Sequence, residues 1–276
     1  MKLSSCSAVF GDGDLKKIID AVAEIGYDGI EITAAFHLPV DSTQERRKEV
    51  KGYLSDAGIV CSGLHYIFDG SLRLLQPDAE MRKKSEIYLK KVIDVAFDME
   101  APTVILGSGG KTRSFEPEWN REEGIKSFTE ILRNVGEYAA EKNVVIAVEA
   151  INRYETNFLN KLEESANFVK GVGLDSVRTM ADTYHMNIEE KDYCETIRKY
   201  GKTLQNLHLA DSGRMAPGTG HIDFKGIGQA LKDIGYDKWC SYEVFGLYPW
   251  KLWFDTFEEA KDQMTLGLQV IRDAFA

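Results

Sequence analysis

Short runs that are apolar at nearly every position recur along this chain, each followed by a longer stretch with helical spacing. Val144–Val148 is the plainest of them: five apolar residues run without a break into Glu149. A segment apolar on both faces suits a strand covered on both sides, as in a parallel sheet. The residues that follow, Asn152, Arg153, Tyr154, Glu155 and Asn157, are too polar to continue it and read as a loop at the strand's C-terminal end. Asn160, with Glu163 three residues on, reads as a helix N-cap with its capping box. The unit is thus strand, acidic tip, polar loop, capped helix.

Strand followed by helix recurs eight times along the chain. Strands are expected at Leu3–Phe10, Gly29–Thr33, Ile59–Tyr66, Thr103–Leu106, Val144 to Glu149, Val177–Ala181, Leu204–Leu209 and Trp239–Val244. Between them come a stripe of Leu15, Ile18, Ile19 and Val22, a helix capped by Ser42 and Glu45 that ends near Gly58, and helices at Ala79–Met99 and about Glu122 to Glu141. Helices follow around Leu162–Val169, closed by Gly171 and Gly173, then near Asp192–Tyr200, Phe224–Ile234 and Phe257–Phe275. Eight strand–helix repeats with no linker predict one α/β domain over residues 1–276, a (β/α)8 TIM barrel. The alternative is an open doubly wound sheet. No GxGxxG follows the first strand, which counts against a dinucleotide-binding version.

A net charge of −10 argues against nucleic acid or an anionic membrane surface as partner. Cys6, Cys61, Cys194 and Cys240 are far apart and form no CxxC, so they read as reduced thiols of a cytoplasmic protein. No run is apolar enough to span a membrane, and the N-terminus, rich in serine, is too short for a signal peptide.

Polar residues interrupt the last four strands in a regular way. Strand five ends at Glu149 and strand six at Asp182, strand seven carries His208, and strand eight carries Glu243. They lie 33, 26 and 35 residues apart, each about one repeat, so four successive strands aim metal-ligand types at one rim of the barrel. Three carboxylates and one imidazole suit one divalent ion of the Mn2+, Co2+ or Mg2+ kind better than Zn or Cu, with Mn2+ the first choice. Such an ion also relieves the repulsion among the carboxylates.

Four stretches carry a family likeness: Val148–Asn157, Ala181–Glu190, His208–Arg214 and Tyr242-Glu243. They resemble the sugar isomerase/epimerase superfamily with its xylose-isomerase-like barrel, and within it the ketose 3-epimerases of the D-tagatose and D-allulose type. The resemblance is strong from about residue 140 to 245 and architectural before that. It implies that Glu149, Asp182, His208 and Glu243 hold the metal, and that Glu149 and Glu243 double as acid and base. It implies that His185, Arg214 and Glu155 contact the O1–O3 end of a sugar. The chemistry implied is proton abstraction next to a ketone through an enediolate, most simply C3 epimerisation of a ketose or keto-sugar acid, by a homo-oligomer (dimer or tetramer).

Other residues are placed less directly. His65 and Tyr66, at the tip of strand three, face the barrel mouth and are candidates to touch the distal sugar; packing is the alternative. Gly107–Thr112 mimics a phosphate loop but has Ile105 where the first Gly belongs, so a nucleotide site is rejected. Ser108 and its neighbours remain candidates to contact the substrate, cradling a sugar phosphate with backbone N–H groups and Lys111. Glu155 is a candidate to orient His185. His37 and His221 are expected in loops. The aromatic stretch Trp250–Phe254 is expected to form a lid or a subunit contact, with simple packing the alternative. The tip of strand one, Ser4–Ser7, lacks the aromatic residues of the 3-epimerases, and Val244 stands where they carry proline. The main competing reaction is elimination by a lyase or dehydratase acting on a keto sugar, an inosose or a glycosylated keto sugar. A multi-zinc phosphodiesterase on the same barrel needs more than five histidines and a basic surface. A non-catalytic subunit fits poorly with an intact ligand set.

Overall fold

The computed structural model of the chain describes residues 1–108, 110–244 and 254–276. Eight parallel strands close on themselves in chain order: β1 (Lys2–Cys6), β2 (Gly29–Thr33), β3 (Val60–His65), β4 (Thr103–Leu106), β5 (Val145–Glu149), β6 (Val177–Asp182), β7 (Leu204–Leu209) and β8 (Trp239–Tyr242). β8 returns to β1 with Leu3 opposite Cys240 and Ser5 opposite Tyr242. Around them run α1 (Leu15–Ile25), α2 (Ala34–His37), α3 (Gln44–Ala57), α4 (Ala79–Asp98), α5 (Arg121–Glu141), α6 (Leu162–Val172), α7 (Thr183–Glu189), α8 (Tyr193–Tyr200), α9 (Phe224–Asp233) and α10 (Phe257–Phe275). This is the expected barrel. Among the described residues, no helix is long and apolar enough to cross a membrane.

Several boundaries differ from the sequence reading, each for a visible reason. β1 stops at Cys6 and Ser7–Phe10 turns into a 3-10 helix. The Ser7 hydroxyl receives the backbone N–H of Thr33 at 2.8 Å, the role a ladder carbonyl would have played. Thr43, not Ser42, caps α3, accepting from Arg46 N; Ser42 instead accepts from the Arg47 guanidinium. Asn160 does not cap α6. Its amide ties the preceding loop to the Ile151 and Thr156 carbonyls, while Glu164, not Glu163, accepts from the Asn160 and Lys161 N–H groups. The seven residues of α7 were not expected to be helical. His37 is buried at the end of α2 rather than lying in a loop. Trp250 and Trp253 lie outside the described residues; Phe254, from the same stretch, packs in the core.

The core lies mostly between strands and helices, where side chains such as Ile30, Ile32, Leu106 and Val148 point outward. Inside the barrel the two halves differ. Ile105, Ala147 and Met180, from β4, β5 and β6, make a small apolar cluster. On the other side the filling is polar. Ser4 and Ser241 share a hydroxyl hydrogen bond of 2.7 Å, and Asn206 and Ser241 both donate to Glu31. The polar half lies beneath the tips of β7 and β8.

Candidate metal centre and active site

Alternation along each strand decides what reaches the barrel axis. Ala147 and Glu149 point inward on β5, Met180 and Asp182 on β6, and Asn206 and His208 on β7, while Leu207 and Leu209 face the helices. Glu243 sits one residue past β8, still anchored by its N–H to the Leu209 carbonyl at 3.1 Å. Glu149, Asp182, His208 and Glu243 thereby bring one ligand atom each within 4.8 Å of one another, all buried.

The set suits a divalent cation. Three carboxylates face one another out of reach of bulk water, and Asp182 Oδ2 has no hydrogen-bond partner among the described residues. Its other oxygen, Oδ1, caps α7 by accepting from Tyr184 N at 2.7 Å. One carboxylate thus starts a helix and aims its free oxygen at the cluster. Burial, followed by the charge of Glu243, raises Asp182 to about 7 and Glu149 well above the usual carboxylate range. Burial also opposes ionisation of Glu243 and charging of His208. Here their mutual attraction, helped by Glu31, prevails: Glu243 is held well below the carboxylate range and His208 well above the imidazole range. His208 Nδ1 lies 3.0 Å from Glu243 Oε1 without hydrogen-bond geometry. Its Nε2 is 2.8 Å from Glu31 Oε1, so Nδ1 is the nitrogen turned toward the cluster.

His185, in the first turn of α7, places Nε2 3.6 Å from Glu149 Oε1 and 3.9 Å from Asp182 Oδ2. Its Nδ1 meets the Asn152 amide nitrogen at 2.7 Å. An amide NH2 can only donate, so Nδ1 accepts and Nε2 carries the proton that faces the site. Burial first, then Arg214, pushes this imidazole well below its ordinary range, so it is neutral. The same Asn152 amide donates to Glu155 Oε1 at 2.9 Å. Glu155 therefore acts on His185 through Asn152; its own distance to Nδ1 is 3.9 Å.

Arg214 closes the far side, 3.4 Å from Glu155 Oε1 and 3.5 Å from Glu243 Oε2, with its guanidinium 4.9 Å from the centre of the Tyr184 ring. Its backbone is left-handed, with φ 57°, a conformation that costs a non-glycine residue on the order of 1 kcal/mol or more. Asp211 holds the loop in that shape by accepting from the N–H groups of Ser212, Gly218 and Ile222. A Cβ at Gly220 would come within 2.3 Å of Asp211 Oδ1, so the loop has room for Asp211 only with glycine there.

His65 is buried, with Nδ1 3.4 Å from Glu243 Oε1. Ser108 is half-buried and contributes its carbonyl, which accepts from Arg113 Nε at 3.2 Å. His221 is in an exposed loop, as expected.

Four residues with no role assigned from sequence belong to the site. Glu31, on β2, accepts from Asn206, Ser241 and Cys6 besides facing His208. A fully buried carboxylate needs such a set of partners, and an imidazole held from behind by a carboxylate is the usual support of a metal-bound histidine. Arg113, also fully buried, donates to the Glu149 carbonyl at 2.6 Å and joins the tips of β4 and β5. Burial lowers it to about 10, so it stays charged beside Glu149 at neutral pH. Asn152 sets the His185 tautomer. Gly107 leaves space: a Cβ there would meet Glu149 Oε2 at 1.8 Å. The apolar run before Gly107 signals only a strand, and no local spacing reveals partners that meet across a barrel.

Residues 19–273 match the family described as the xylose isomerase-like TIM barrel. The chain belongs to this family. Within it, this xylose isomerase-like barrel is 32% identical to the D-psicose 3-epimerase of Enterocloster bolteae over 280 residues, 95% of this chain and 91% of that one. Its fold is similar to the D-psicose 3-epimerase from Clostridium cellulolyticum H10 with D-tagatose, at a TM-score of 0.89 and 26% identity, covering 100% of this chain and 99% of that one. It is also 23% identical to the 3-dehydro-D-guloside 4-epimerase of Escherichia coli over 248 residues, 88% of this chain and 92% of that one. These relatives are epimerases, enzymes of the isomerase class.

Proposed function

We propose that this protein is a metal-dependent isomerase that epimerises C3 of a ketose or keto-sugar acid. The observation that carries this reading is the convergence of four buried ligand atoms, from Glu149, Asp182, His208 and Glu243, within 4.8 Å. These four residues would hold one divalent ion, Mn2+ first, with Co2+ or Mg2+ as alternatives. When bound, the ion supplies Lewis-acid polarisation of the ketone.

The protein's own groups do the rest. Glu149 and Glu243, from separate strands, exchange the proton on the carbon beside the ketone, one removing it and the other returning it on the opposite face. His185 offers its Nε2–H, and Arg214 its guanidinium, to the oxygens at the O1–O3 end, where negative charge develops. Glu155 steadies both through Asn152 and the Arg214 contact. His65 and Ser108 stand nearer the distal end of the substrate. The four free thiols suit a cytoplasmic enzyme, and a homo-oligomer, dimer or tetramer, belongs to the same reading.

A second reading keeps the site and changes the substrate. Similarity to an enzyme named for a keto-glycoside substrate favours a glycosylated keto sugar, on which the same proton abstraction leads to epimerisation or, with a leaving group β to the carbonyl, to elimination. A panel of ketoses, keto-sugar acids and keto glycosides, followed by NMR with chelated and Mn2+- or Co2+-restored protein, tests both. Activity that disappears on chelation and returns with the ion is expected. Full activity in protein shown metal-free by elemental analysis would contradict the reading, and a product lacking water or a sugar would favour elimination.

A further inference from the structure

A line of buried side chains leads away from the site on the β1–β2–β3 side. His37 Nδ1 is 3.0 Å from Ser7 Oγ, Ser7 Oγ donates to Thr33 Oγ1 at 2.9 Å, and Thr33 Oγ1 is 2.7 Å from His65 Nε2. His65 Nδ1, at the other edge of the ring, is 3.4 Å from Glu243 Oε1. All four side chains are buried.

Each hydroxyl has one proton, and that fixes the direction of the line. The Ser7 proton goes to Thr33, so Ser7 accepts from its other neighbours, the Thr33 N–H at 2.8 Å and the His37 ring. Thr33 Oγ1 accepts from Ser7, and among the described residues His65 Nε2 is the one other group in hydrogen-bond contact with it, so the buried hydroxyl proton goes to His65. That nitrogen is then an acceptor, and the ring proton of His65 sits on Nδ1, facing Glu243.

We propose that this line locks His65 as the Nδ1–H tautomer and makes it a positioning residue for Glu243. The proposal rests on the reading of Glu243 as a metal ligand and base. In the opposite tautomer, a nitrogen lone pair would face the carboxylate oxygen and push it aside. In the locked tautomer, the Nδ1–H of His65 faces Oε1 across 3.4 Å while Arg214 approaches Oε2 at 3.5 Å, so rotation of the carboxylate is restrained from both ends. A group that ligates and moves a proton must hold its place to within about 0.5 Å. The lock comes from the 3-10 turn after β1 and from the end of β2, which supply none of the four proposed ligands.

Thr33→Val keeps the shape and removes the hydroxyl; Thr33→Ser keeps the hydroxyl and is the rescue. Long-range nitrogen NMR of the histidine rings, in Mg2+-loaded protein so that the spectrum stays diamagnetic, reads the tautomer directly. With five histidines in the chain, assignment by single substitutions is practical. The expected wild-type spectrum has His65 protonated at Nδ1, and Thr33→Val shifts it wholly or partly to Nε2. On a substrate the wild type turns over, Thr33→Val lowers kcat about tenfold with KM within about twofold, and Thr33→Ser restores kcat to within about twofold. An Nε2–H tautomer in the wild type overturns the proposal, as does a Thr33→Val protein with unchanged tautomer and kcat. If Thr33→Val does not fold, Ser7→Ala, which removes the donor that directs the Thr33 proton, takes its place with the same expectations. If the wild type turns over no keto sugar, the functional reading fails while the spectra still decide the tautomer lock.

Discussion

Alanine at position 107 tests whether the Glu149 carboxylate must sit where the structure holds it. A Cβ on Gly107 would lie 1.8 Å from Glu149 Oε2, whereas real Cβ atoms keep at least 3.0 Å from any neighbour. The oxygen must therefore move by about 1.2 Å or more. Position 107 is outside the left-handed region, so alanine adds no backbone strain, and the displaced atom is the end of a flexible side chain. Stability should fall by on the order of 1 kcal/mol or less, a shift of a few degrees in Tm for a barrel of this size. A misplacement of about 1 Å in a catalytic group costs on the order of a hundredfold in rate. Gly107→Ala should therefore lose about a hundredfold in kcat and about tenfold or more in Mn2+ affinity, and keep its fold. Steady-state kinetics at saturating ion, calorimetric titration of the ion and a thermal melt check these together. Near-wild-type kcat and affinity would refute the steric reasoning. A Tm loss beyond about 10 °C would place the damage in the fold instead.

Glu31→Gln should weaken Mn2+ binding about ten- to a hundredfold, because it removes the charge behind His208; unchanged affinity in a metal titration would show that Glu31 only fills the barrel. His185→Ala and Arg214→Ala should keep fold and one ion per chain yet lose most turnover, about tenfold or more each; near-wild-type rates in both would show that the substrate is held elsewhere. Ion affinity should also depend on pH. Burial and Glu243 raise Asp182 to about 7 and hold Glu149 well above the usual carboxylate range, and the Glu243 and Glu31 charges raise His208, so the ion-free site holds protons that the ion must displace. Mn2+ affinity should therefore rise with pH through about 7, with protons released on binding. Titrations in buffers of different ionisation enthalpy measure this, and an affinity that is flat from about pH 6 to pH 8 would contradict it.

Strand positions were legible because strands covered on both faces read as unbroken apolar runs, and because Glu149, Asp182, His208 and Glu243 recur at the spacing of one repeat. Seven of the eight strands end within two residues of their expected C-terminal limits, while β1 stops short because Ser7 turns its hydroxyl to Thr33. What the sequence hides are contacts across the barrel. Glu31 reads as a lone acid in a strand, and its partner His208 is 177 residues away. Arg113 stands in a stretch that mimics a phosphate loop, and its hydrogen bond to the Glu149 carbonyl spans 36 residues. α7 is hidden in the sequence because its cap, Asp182, reads as the end of a strand and as a candidate metal ligand; in the structure it both ends β6 and caps α7.

The most direct test of the account is the fate of the proton beside the ketone. Wild-type protein with Mn2+, incubated in D2O with a keto sugar it turns over, is followed by proton and carbon NMR. A carboxylate that trades its proton with water between turnovers predicts deuterium at that carbon, C3 of a ketose, in the product and, as the reaction reverses, in recovered substrate. Product formed with no solvent deuterium and no intramolecular transfer of the original hydrogen would contradict proton abstraction by Glu149 and Glu243.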